Sequence, residues 1–185
     1  MTARTAFTYR DYAALPDDGK RYEIHDGELC EMTAPTWLHQ ALLLNLAKAL
    51  DTYVRVRNLG KIAIAPLDVI LSDQPGETTI LQPDIIYLAN DRLSARRPHG
   101  VEGAPTLVVE ILSPSTATID RTVKRNLYAR YAVPYFWLID PDARVIEAQV
   151  LRSGEYAVTV AASGPQPLDL PPFTDLALVP SALWD

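Results

Sequence analysis

The chain has 185 residues, 48% of them hydrophobic and 22% charged, a composition that excludes disordered, collagen-like and membrane proteins and fits a soluble globular one. Seventeen Lys and Arg against 23 Asp and Glu leave a formal charge of −6, which argues against a nonspecific nucleic-acid coater, because such binding is driven by phosphate neutralisation and counterion release. The charge is unevenly spread: residues 92–131 hold seven Lys or Arg and three Asp or Glu, a basic island between acidic flanks.

A chain of this length buries roughly two-thirds or more of its unfolded surface, so it needs neither a disulfide nor a structural metal. Its single cysteine, Cys30, cannot form an intrachain disulfide. The opening residues MTARTAFTYRDY lack a signal-peptide apolar run, and the apolar stretch 41–50 is interrupted by Asn45 and Lys48, so a cytoplasmic protein without a membrane segment is expected. Without repeats or a Gly/Ser linker, 1–185 reads as one domain, with a core over about 20–150 and a Pro-rich tail over 162–185.

Thr8 precedes a short helical stretch through Tyr12 and Leu15 that Pro16 ends. Asp26-Gly27 is a type I′ turn signal, which makes 21–32 a hairpin pairing His25 with Glu28, Ile24 with Leu29 and Glu23 with Cys30. One face is then apolar through Ile24 and Leu29, and the other presents Glu23, His25 and Glu28. Trp37 to about Val56 has helical apolar spacing over about five turns, ended by Gly60. Lys61–Leu71 and Ile80–Leu88 read as strands around a Pro75-Gly76 turn, and Thr106–Leu112 as a strand buried on both faces. Thr118–Ala132 is helical, with Ile119, Val123, Leu127 and Tyr131 on one stripe. A strand over Tyr135–Ile139 and a hairpin of Val145–Leu151 with Tyr156–Ala161, turning at Ser153-Gly154, complete the pattern. This order predicts an α/β fold with helices packed on a mixed sheet.

Glu110 is the chemical anomaly: every neighbour in Leu107-Val-Val-Glu-Ile-Leu112 is apolar, and a buried carboxylate must be protonated, paired or bound to a metal. Asp84 opens another apolar strand. If the two strands are neighbours, both carboxylates can converge on one divalent cation, since magnesium takes one or two protein carboxylates and completes its shell with water and phosphate oxygens. The spacing alone equally allows Asp84 as a turn residue after Pro83 and Glu110 as the ion-pair partner of Arg121 or Arg125.

Pro83-Asp84, Glu110-Ile111-Leu112 in a strand and Lys124 on the following helix resemble the PD-(D/E)xK nuclease superfamily, whose fold is restriction-endonuclease-like. More closely, the chain resembles the Uma-two family of bacterial restriction endonucleases. The similarity runs through Tyr22-Glu-Ile-His-Asp-Gly-Glu28, His39-Gln40, Ala65-Pro-Leu-Asp68, Gln82-Pro-Asp-Ile85, Gly103-Ala-Pro105, Val108-Val-Glu-Ile-Leu-Ser-Pro-Ser115, Asp120-Arg-Thr-Val-Lys124 and Val133-Pro-Tyr-Phe-Trp-Leu-Ile-Asp-Pro141, about residues 20–150. Each motif is weak; their order and spacing are specific. The resemblance implies a mixed central sheet flanked by helices with additional β-hairpins, and a magnesium-dependent (or manganese-dependent) DNA endonuclease, commonly a homodimer. It makes Asp84, Glu110 and the Ile111 carbonyl metal ligands.

One departure stands out. The superfamily's lysine two residues after the acid is replaced by Leu112, and Lys124 is the natural substitute, displaced to the next helix; its alternative is an Asp120–Lys124 salt bridge at i,i+4 spacing. Glu28 is a third candidate ligand for metal or water, alternatively a solvated hairpin acid. His39 is a candidate site residue at the start of the long helix, alternatively a packing residue. Tyr128, one turn beyond Lys124, is either near the site or in the core.

The three histidines and one cysteine form no zinc motif, and the chain has no Gly-rich phosphate loop or nucleophile elbow. A rival function is a catalytically degraded nuclease-fold module that binds nucleic acid or protein, which Leu112 and the overall acidity favour.

Overall fold

The computed structural model describes residues 6–184; the first five residues of the N-terminal stretch and Asp185 at the end of the tail lie outside the described residues. A capping box starts the short helix α1 (Tyr9–Ala13): the Thr8 side chain accepts from Asp11 N–H while the Asp11 carboxylate accepts from Thr8 N–H. Strands β1 (Arg21–His25) and β2 (Glu28–Met32) form the expected hairpin in the expected register, with Asp26 and Gly27 both at positive φ as a type I′ turn requires. Helix α2 (Trp37–Val56) follows, with Thr36 as its N-cap. Asn58, at φ 51°, turns the chain out of the helix in place of Gly60. Gly60 is needed for a different reason: a Cβ there would stand 2.0 Å from the Leu88 carbonyl of the adjoining strand.

Each of the two strands expected over 61–71 and 80–88 is in fact two. Pro66 and Pro83 interrupt them, leaving β3 (Gly60–Ile64), β4 (Asp68–Ser72), β5 (Thr79–Leu81) and β6 (Ile85–Ala89). A 3₁₀ turn at Asn90–Ala95 leads to β7 (Arg96–Arg97), β8 (Gly100–Glu102) and β9 (Leu107–Ile111). The next helical segment has an unexpected middle: α3 (Ala117–Ile119) passes through a π-helical turn, Asp120–Lys124, into α4 (Arg125–Arg130). Strand β10 (Tyr135–Asp140) and the hairpin of β11 (Val145–Arg152) with β12 (Glu155–Ala162) complete the regular structure.

The strands divide between two mixed sheets rather than one. The first has the order β2-β1-β5-β4-β8-β7, and the second β12-β11-β10-β9-β6-β3. Within the second, β9 and β10 are parallel, joined by the α3–α4 crossover, and β6 lies antiparallel to β9. Its two faces build two cores. One packs Leu107, Val109 and Ile111 against α2 and the C-terminal residues Leu170, Phe173, Leu178 and Leu183, so the Pro-rich tail is irregular yet packed. The other packs Val108, Phe136 and Leu138 against Leu127 and Tyr128 of α4 and against Val69, Leu81 and Val101 of the first sheet. Among the described residues, no helix is long and apolar enough to cross a membrane.

Candidate active site

The chain leaves the first sheet after Leu81 and enters the second at Ile85, so Gln82-Pro83-Asp84 spans the junction. Ile85 pairs with Val109, and the same antiparallel register brings Asp84 opposite Glu110. Alternation along β9 turns Glu110 away from the α2 core and toward α4. Asp84 Oδ2 accepts hydrogen bonds from Ile111 N–H at 2.7 Å and contacts His39 Nε2 at 3.1 Å. Glu110 Oε1 accepts from the Tyr128 hydroxyl at 2.6 Å, and both its oxygens lie 3.3 Å from Lys124 Nζ.

Lys124 is the hub. Only 2% exposed, it also meets Glu23 Oε1 at 3.0 Å and Asp120 Oδ1 at 3.4 Å. The helical stripe that faces inward is therefore Asp120, Lys124, Leu127 and Tyr128, whereas Ile119 and Val123 of the expected apolar stripe are exposed. Arg121 and Arg125, the alternative partners for Glu110, are engaged elsewhere: Arg121 with Asp140 at 2.7 Å, Arg125 with the Gln149 side chain and the Tyr156 carbonyl.

Glu23, Glu110 and Asp120 are thus three buried carboxylates around one buried ammonium among the described residues, and the buried Asp84 stands beside them opposite Glu110. Burial, then repulsion by Asp120, Asp84 and Glu23, pushes the Glu110 carboxyl well above its usual range against the pull of Lys124. Burial likewise raises Asp120 despite Lys124. Glu23 goes the other way: burial would raise it, but Lys124, His25 and the Gln82 N–H together hold it down at about 2. Burial alone would lower Lys124, and the Glu110, Glu23 and Asp120 carboxylates outweigh it, so the ammonium stays protonated.

A cavity of about 40 Å³ opens onto this group, lined among others by His39, Asp84, Glu110, Ile111, Asp120 and Lys124. Of the expected site residues, then, Asp84, Glu110, Ile111, Lys124 and His39 come together, and Glu28 does not: it is exposed on β2 and lines no part of the cavity. Its hairpin neighbour Glu23 occupies the buried place instead, because β1 is an inner strand of the first sheet with both faces covered. Sequence reasoning missed Glu23 as a site residue and read Asp120 only as an ion-pair partner of Lys124; the signal for Asp120 was the Asp120, Lys124, Tyr128 spacing along one helix face.

The donor set suits a hydrated divalent cation. Carboxylates outnumber cations in the buried group, and Asp120 Oδ1 makes no hydrogen bond beside its 3.4 Å ion-pair contact with Lys124. Among the described residues no three His, Cys, Asp or Glu side chains converge tightly enough to enclose an ion. The basic island is largely committed within the fold: Arg97, Arg121 and Arg130 pair with Glu102, Asp140 and Asp26, and Arg92 donates to the Ala104 carbonyl.

The fold is shared with a solved structure, described as a putative nuclease belonging to DUF820 from Anabaena variabilis, at 19% identity and a TM-score of 0.75 over 96% of this chain and 97% of that one. Among curated proteins, none matches. The model of the Uma2 family, described as "Putative restriction endonuclease", matches residues 9–181. Matched over nearly its whole length, the chain belongs to the Uma2 family.

Proposed function

We propose that the protein is a divalent-cation-dependent endonuclease that hydrolyses phosphodiester bonds in DNA. The observation that carries this reading is the excess of buried carboxylates over cations at a small cavity between the two sheets, in a chain of a family described as "Putative restriction endonuclease". Asp84 and Glu110 would hold magnesium or manganese, with the Ile111 carbonyl as a third ligand. Bound there, the metal would polarise a phosphoryl oxygen and lower the pKa of a coordinated water. His39, through its contact with Asp84, orients that carboxylate. Tyr128 does the same for Glu110. Lys124 is the displaced lysine: held protonated beside the cavity, it offsets negative charge that builds at the scissile phosphate and acts as a cation rather than a base. Two copies acting together, one per strand, would complete a duplex cut.

Supercoiled plasmid incubated with the purified protein tests this. Nicked and linear products in magnesium or manganese, absent in a chelator and lost in Asp84→Ala and Glu110→Ala, are expected. A wild-type protein that binds DNA but leaves it intact in both metals would instead favour the degraded binding module, which Leu112 at the usual lysine position supports.

A further inference from the structure

Two buried polar atoms lack any hydrogen-bond partner among the described residues, His39 Nδ1 and Asp120 Oδ1, and both residues line the same cavity. Unpaired buried polar atoms are costly, and a cavity of about 40 Å³ has room for water, which needs some 10–15 Å³ and two to four polar partners. Asp120 is only 2% exposed, and its place is fixed by the π-helical turn that carries it and Lys124. The other charged groups at the cavity are engaged: Lys124 contacts three carboxylates, Asp120 Oδ1 among them at 3.4 Å, Arg21 donates to the Gln82 side chain, Asp84 receives the Ile111 N–H, and Glu110 receives the Tyr128 hydroxyl. Of the two atoms, Asp120 Oδ1 lies 3.4 Å from the Lys124 ammonium, which favours a carboxylate able to take up a proton, whereas His39 is committed through Nε2 to Asp84.

Resting on the nuclease reading, we infer that Asp120 is a further catalytic residue, the group that holds the attacking water through Oδ1 and accepts its proton. As the water oxygen bonds to phosphorus, the bond from phosphorus to the leaving sugar oxygen breaks, the water's proton passes to Asp120, and the leaving oxygen takes a proton from solvent. Lys124 then serves partly to keep Asp120 ionised, at 3.4 Å. The π-helical turn sets both side chains on the inner face of the segment, in line with the tendency of such turns to occur at functional sites.

The test compares the wild-type protein with Asp120→Asn by plasmid-cleavage kinetics, manganese calorimetry and thermal melting, alongside a high-resolution crystal structure of the wild type. Expected are a fall in kcat of about 100-fold or more, manganese affinity within about threefold of wild type, and a melting temperature equal or higher, because removing a poorly compensated buried carboxylate relieves repulsion. The crystal structure is expected to show an ordered water in hydrogen-bond contact with Asp120 Oδ1. A variant that cleaves within about threefold of an active wild type overturns the inference and leaves the nuclease reading standing. Lost manganese affinity would make Asp120 a metal ligand, a lowered melting temperature would make it a structural partner of Lys124, and a dry Oδ1 would remove its water; each also overturns the inference. A wild-type protein inactive in both metals defeats the nuclease reading itself, and this inference with it.

Discussion

Lys124 lies closer to Glu23, at 3.0 Å, than to Glu110, at 3.3 Å, so the lysine of one helix is anchored by an acid from the first hairpin, 101 positions away in sequence and in the other sheet. Glu23 is itself fixed by the Gln82 N–H at 2.8 Å and by His25 at 2.9 Å. That chain of contacts ties the two sheets together at the cavity.

Unlike Glu110 and Asp120, Glu23 is held down, at about 2, so its carboxylate is the one its buried partners stabilise. Deleting one partner of a buried ion pair costs about 3–5 kcal/mol, and Glu23→Ala should lose stability of that order in urea unfolding. A loss of under about 1 kcal/mol, within the range of an exposed ion pair, would show that Glu23 is not the anchor.

The opposed shifts of the carboxylates give stability a particular pH profile. Glu110 and Asp120 have raised values when folded, so their contribution is fully present below the unfolded values of 4.5 and 3.8 and is lost as pH rises through the folded ones. Glu23, held at about 2, contributes above its unfolded value of 4.5 and loses that contribution as pH falls toward 2. Melting temperature without metal should therefore rise as pH is lowered from 8 into the mildly acidic range and then drop, and Glu110→Gln should flatten the upper slope. A steady decline from pH 8 to 5 in the wild type would contradict these shifts.

His39, buried in the first turn of α2, touches Asp84 at 3.1 Å. His39→Ala should keep the fold and weaken manganese binding or activity by about 10–100-fold, the usual effect of losing an outer-shell partner. Equal affinity and equal turnover in the variant would assign His39 to packing.

Much of this arrangement was legible in the residues. The apolar run around Glu110 announced a buried acid, the Asp26-Gly27 turn set the hairpin register, and the capped amphipathic pattern marked α2. Long-range pairing was not legible. Prolines 66 and 83 divide the middle strands between two sheets, and only that division makes β1 an inner strand and buries Glu23. The π-helical turn is equally silent in sequence, since an ideal helix through Ile119, Val123 and Leu127 reads as apolar-faced, while the fold turns Asp120 and Lys124 inward. Glu28 and Glu23 share one hairpin face, but β2 is the edge strand of the sheet and β1 an inner one, which local spacing does not encode.

The most direct test of the metal centre is anomalous diffraction from crystals of the wild-type protein soaked in manganese. The arrangement described here predicts a peak between the Asp84 and Glu110 carboxylates, beside Ile111, that disappears in Asp84→Ala. No peak in the cavity, or a peak that persists without Asp84, would contradict it.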